Sequence, residues 1–172
     1  LKQQYQDDPE SGKIEMAVRS ITAGNDPTRC TIATTDASGK VLASWDAAAH
    51  PMAGGDGELA CSGDLLLASL AACQEITVRM VASAMGVELQ ELEVVVEGDM
   101  DFRGTMGIDP ETPVGFTAIR SRVRLAADVP EDRLAKLAAR AEKYCVVGAT
   151  LREGTALTTD ISARSVSGVV ER

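Results

Sequence analysis

GGDGELACSGDLLLASLAACQEITVRMVASAMG, residues 54–86, holds a glycine-rich lead-in and a long apolar run. Gly54, Gly55 and Gly57 belong to a connection spanning Asp46–Gly63 that also carries His50 and Pro51. From about Asp64 to Met85 there is neither Pro nor Gly, and the run predicts one helix. Ser62 or Asp64 is the candidate cap and Gly86 the stop. Leu65–Met85 approaches a membrane span in length, but Gln74, Glu75 and Arg79 interrupt it and favour a buried core helix. Charges this sparse mean the helix must be covered on most sides.

Outward from the helix, the pattern turns to strands. Ile14–Ile21 and Arg29–Thr35 read as strands joined by a turn at Ala23–Pro27, with Cys30, Ile32 and Thr34 on one face. Asp36–Gly39 is a hairpin turn, and Lys40–Trp45 continues an antiparallel meander. After the helix come a strand at Glu91–Asp99, a loop at Phe102–Pro113 and a strand at Val114–Ala126. Pro130 opens a second helix reaching Tyr144, with Asp128 the candidate cap. A short helical turn follows Cys145, and Thr155–Arg164 reads as the last strand. Strands grouped rather than alternating singly with helices make the class α+β. The length of 172 residues suits one domain, here 13–165, between a loose polar arm at 1–12 and a tail at 166–172.

Charge narrows the partners. Asp and Glu number 26 against 17 Lys and Arg, a net charge of −9, which argues against nucleic acid and anionic membrane. Aromatics are only 3%, so Leu, Val, Ile, Met and Ala must build the core. No basic segment followed by an apolar stretch opens the chain, so no signal peptide is predicted and the expected compartment is the cytoplasm. The four cysteines, Cys30, Cys61, Cys73 and Cys145, form no CxxC pair, and His50 is the one histidine. No metal site and no cofactor are therefore expected.

Helical spacing puts Leu66, Leu70, Ile76 and Met80 on the face of Cys73. Cys145 shares its side of the second helix with Leu134, Leu137, Ala138 and Ala141. Buried cysteines commonly act as small inert hydrophobes, and apolar burial raises a thiol's pKa. Chemistry at Cys73 needs a nearby cation.

Two stretches resemble a known family. GGDGELACSGDLLLASLAACQ (54–74) is similar to the OsmC/Ohr segment in which a glycine-rich loop enters a central helix bearing a peroxidatic cysteine. LAKLAARAEKYCVVGATLREG (134–154) resembles the family's second signature, a helix ending at a resolving cysteine. The resemblance implies an OsmC-like fold, an intertwined homodimer, and a peroxidase acting on organic hydroperoxides. Cys73 would become a sulfenic acid, Cys145 would condense with it to a disulfide, and a dithiol reductant would restore both. Leu66, Leu70, Ile76 and Met80 would line the substrate's apolar side.

The chain departs from the family pattern in places. Cys61-Ser62-Gly63 stands where many members have Asn-Pro-Glu, leaving Asp64 as a shifted, shorter carboxylate. Val146 replaces a proline, and Arg29, then Arg19, are the candidate activating cations. The competing reading keeps the fold without turnover, as a binding protein for a small hydrophobic ligand or a redox sensor. Cys61 and His50 read as loop residues, and Glu75–Arg79 as an i,i+4 pair.

Overall fold

The computed structural model describes residues 1–22 and 24–163. In chain order the elements are α1 (Lys2–Asp7), a 3-10 turn (Pro9–Gly12), β1 (Ala17–Thr22), β2 (Arg29–Thr35), β3 (Val41–Ala48), a second 3-10 turn (Pro51–Ala53), α2 (Ser62–Ala84), β4 (Glu91–Asp99), α3 (Phe102–Thr105), β5 (Ala118–Ala126), α4 (Glu131–Tyr144) and α5 (Val146–Glu153). The class is α+β.

Two compact units form. The first takes Leu1–Ala72 and Glu93–Arg124, and the second Cys73–Leu92 with the described part of Leu125–Arg172. In the first, β1, β2 and β3 make an antiparallel meander with Ile32 opposite both Ser20 and Trp45. All of β1 is exposed, as are Val41, Leu42 and Trp45, whereas Ala47 and Ala48 are buried. β5 returns along β4: the Thr117 N–H reaches the Asp99 carbonyl at 2.8 Å, and Arg122 pairs with Glu97 and Arg124 with Glu93. Gly98 is required by a close approach, because a Cβ there would lie 2.5 Å from the Phe116 ring.

The start of α2 closes as a capping box. The Leu65 N–H reaches the Cys61 carbonyl, and the Asp64 carboxylate accepts from the Cys61 N–H at 2.9 Å. At its other end Gly86 takes φ +61°, the left-handed stop the sequence predicts, and Arg133 of α4 donates to the Met85 carbonyl. By length and composition α2 could cross a membrane. Its second half instead buries Val78 and Ala82 against Val87, Leu137 and Ala141, the core of the second unit.

Four local expectations change. Residues 155–163 form no strand, and Leu157 and Ile161 are 89% and 86% exposed. A strand exists only where its backbone finds a partner, and this segment meets none among the described residues. Arg164 and the tail at 166–172 lie outside them. Asp128 does not cap α4; Pro130 holds that position without a side-chain bond. The strand expected from Val114 begins at Ala118, and the loop after β4 contains the short α3.

Candidate active site

Cys73 begins the second unit's share of α2, five residues before the buried Val78. Cys145 stops α4 by leaving the helical region, with φ −72° and ψ 108°, and so becomes the N-cap of the eight-residue α5. Its sulfur accepts from the Gly148 N–H at 3.3 Å, the bond that a serine oxygen makes at many helix starts. Seventy-two residues apart in sequence, the two sulfurs meet: Cys145 Sγ–H donates to Cys73 Sγ at 3.4 Å. Cys145 is fully buried and Cys73 partly exposed. Closing this dithiol to a disulfide requires the sulfurs to approach by about 1.4 Å, since an S–S bond is about 2.05 Å.

The surroundings split the two acidities. Burial pushes the Cys73 thiol up, but the Val147 N–H, the Cys145 thiol, the Thr77 hydroxyl and the Val146 N–H together outweigh it, and the pKa falls below the ordinary thiol value. Val146 and Val147 are the first residues of α5, so their amides act on the Cys73 thiol from the positive end of the helix dipole. Cys145 moves the opposite way. Burial raises it and the neighbouring Cys73 raises it further, against the Gly148 N–H and the charge of Arg152. Cys73 therefore ionises first, with Cys145 as its proton-bearing neighbour.

The other sequence candidates occupy different surroundings. Arg29 lies in the first unit, bound to Asp56, to Glu58 at 2.8 Å and to Asp26 at 3.6 Å. Those carboxylates, Asp56 foremost, push its pKa up and occupy its guanidinium. Asp64 is engaged with the Cys61 N–H, which holds its carboxyl below the usual range. Leu70 is buried and Leu66 is 38% exposed in the first unit; Ile76 and Met80 are exposed in the second. His50 caps the second 3-10 turn through Nδ1 and stacks on Phe102 at 4.9 Å. Glu75 and Arg79 pair at 3.0 Å. Among the described residues no group of His, Cys, Asp and Glu is arranged to hold a metal ion.

Sequence reading did not single out Thr77, Arg152 or the α5 amides. Thr77 stands at i+4 from Cys73, so helical spacing could have found it. Arg152 Nη2 donates to the Glu142 carbonyl at 3.1 Å, and Nη1 lies 3.3 Å from the point where a Cβ on Gly148 would sit, with Cys145 Sγ 3.2 Å from that same point. Glycine at 148 leaves open a space that the Arg152 guanidinium and the Cys145 sulfur both border.

A family model described as OsmC-like protein matches residues 55–160, a range that contains both sulfurs and all of α2, α4 and α5. The chain belongs to the OsmC-like family. Solved structures agree on the fold of this OsmC-like chain. An OsmC-like protein from Mycoplasma pneumoniae superposes with a TM-score of 0.65 at 17% identity, covering 83% of this chain and 90% of that one. A Legionella pneumophila protein described as an organic hydroperoxide resistance protein OsmC and predicted redox protein gives 0.56 at 21%, covering 81% and 90%. An organic hydroperoxide resistance protein from Elizabethkingia anophelis gives 0.54 at 15%, covering 83% and 91%. No curated protein matches the OsmC-like chain.

Proposed function

We propose that the protein is a thiol peroxidase that reduces organic hydroperoxides, with Cys73 peroxidatic and Cys145 resolving. The observation that carries this reading is the 3.4 Å contact in which a buried thiol faces a partly exposed sulfur of depressed pKa. The hydroperoxide resistance named for two of the fold relatives supports the same substrate class.

In this scheme the Cys73 thiolate attacks the outer oxygen of ROOH. The O–O bond breaks, the alkoxide leaves and takes a proton, and Cys73 becomes a sulfenic acid. Cys145 then bonds to Cys73 Sγ and water departs, leaving the disulfide. A dithiol reductant returns both sulfurs to the reduced state. The α5 amides and Thr77 hold the attacking anion, the task that the sequence resemblance assigns to an arginine such as Arg29.

We infer also that the chain works as a homodimer. Met16, Val18 and Ile21 at β1, Leu42 and Trp45 on β3, and Ile76 and Met80 on α2 all stand exposed, and a second copy would cover them. Sedimentation at micromolar concentration should give twice the chain mass; a monomer would refute the dimer.

The test of the chemistry is thiol counting during titration with an alkyl hydroperoxide. The parent should lose two thiols per chain and recover them with a dithiol over many turnovers. Cys73→Ser should lose none rapidly, and Cys145→Ser should accumulate a sulfenic acid that dimedone traps. Hydroperoxide consumption by Cys73→Ser at the parent rate would end the proposal, and a single cycle without turnover would leave a sensor.

A further inference from the structure

The two sulfurs differ in access as well as in acidity. Cys145 is fully buried, and Cys73 alone of the pair is reachable from solvent. Thiol–disulfide exchange prefers to expel the more acidic thiol, which would send a reductant to Cys145 and release Cys73. Burial closes that route. Attack must fall on Cys73, and the electron pair must then collect on a sulfur whose surroundings resist ionisation. Two groups beside that sulfur can take the charge. The Gly148 N–H points at it from 3.3 Å, and Arg152 Nη1 borders the same space over Gly148 as the sulfur, near enough for its charge to favour the thiolate. Among the described residues Arg152 forms no ion pair with a carboxylate, and its other contact is the Glu142 carbonyl. Its charge is therefore available to the sulfur.

We propose that reduction opens the Cys73–Cys145 disulfide at Cys73, and that Arg152, together with the Gly148 amide, receives Cys145 as the departing thiolate. This deepens the thiol-peroxidase reading and rests on it for its biological setting. The step balances as an exchange. The first sulfur of a dithiol reductant, as thiolate, bonds to Cys73 Sγ; the S–S bond breaks, and the pair moves to Cys145 Sγ. The second thiol of the reductant loses its proton and closes on the first sulfur. Cys73 leaves as thiolate, Cys145 takes a proton, and the reductant departs as its own disulfide. Arg152 is a positioning residue for the resolving thiol, distinct from the α5 amides that serve Cys73.

The disulfide can be made with diamide, so the test does not depend on peroxide chemistry. Glutathione added to the diamide-oxidised protein, with acid quenching and peptide mapping, should leave its mixed disulfide on Cys73; an adduct on Cys145 overturns the direction of attack. Arg152→Met should slow opening by dithiothreitol at neutral pH about tenfold, the scale of one hydrogen bond to a charged group. Arg152→Lys should recover most of that rate. Opening of the Met variant at the parent rate, or equal slowing in both variants, overturns the role of the charge. A protein that closes its disulfide with diamide yet consumes no hydroperoxide loses the peroxidase reading and keeps this one.

Discussion

Arg29 and Arg152 carry the same guanidinium into opposite circumstances. In the first unit Arg29 sits among Asp26, Asp56 and Glu58, so the cluster as a whole is negative. In the second, Arg152 bonds a backbone carbonyl and its charge acts on the Cys145 thiol. A cation ringed by carboxylates has little field left for any other anion, particularly at an exposed surface where water and salt screen it. One bound only to neutral groups keeps its field. The difference teaches that an arginine's partners, more than its presence, decide whether it can tune a thiol. It also explains why Cys73 draws on the amides of α5, whose charge no carboxylate neutralises.

The comparison can be broken most forcefully at Leu137. This side chain is fully buried in the second unit's core, on the α4 helix that delivers Cys145. Leu137→Ala should cost about 2–5 kcal/mol by transfer and cavity terms, read from the urea midpoint. Its Cys73–Cys145 closure by diamide should slow as the packing loosens. Undiminished stability would mean that the second unit is not held by this core.

A pH profile sharpens the contrast within the pair. Cys73 is an acid whose pKa in the folded chain lies below the free-thiol value, so at neutral pH more of it is thiolate than in the unfolded chain. Iodoacetamide should label Cys73 with a midpoint below about 8.5, and Cys145 only at higher pH. A Cys73 midpoint at or above the free-thiol value would mean that burial wins over the amides. Thr77→Val removes one donor and should move that midpoint up by a fraction of a unit, whereas Thr77→Ser should leave it near the parent. The smallest effect belongs to the first unit. Arg29→Met should leave the Cys73 midpoint within measurement error, because its charge is already balanced; a large upward move would restore Arg29 as the activating cation.

Much of this was legible in the sequence. The approximate bounds of α2, the grouping of strands and the helix that ends at Cys145 follow from spacing, and the resemblance brings Cys73 and Cys145 together, as their 3.4 Å contact does. What escaped depends on tertiary neighbours. Residues 155–163 carry strand-like residues, but pairing, which sequence does not display, makes a strand. Periodicity put Ile76 and Met80 on the Cys73 face without saying what covers them, and the chain alone leaves both exposed. Arg29 is the candidate cation because the resemblance asks for an activating arginine, while its acid partners include Asp56 and Glu58, nearly thirty positions away. Arg152 stands in the last turn of a short helix, and no pattern in the sequence marks it out.

The sulfur of Cys145 both caps the N-terminus of α5 and meets the sulfur of Cys73. Oxidation draws it toward Cys73 and removes its proton, so the first turn of α5 must feel the change through the Gly148 amide. That amide is a built-in indicator lamp. Its nitrogen-15 resonance should shift when the disulfide closes and return on reduction, giving a readout of oxidation state that leaves every thiol unlabelled.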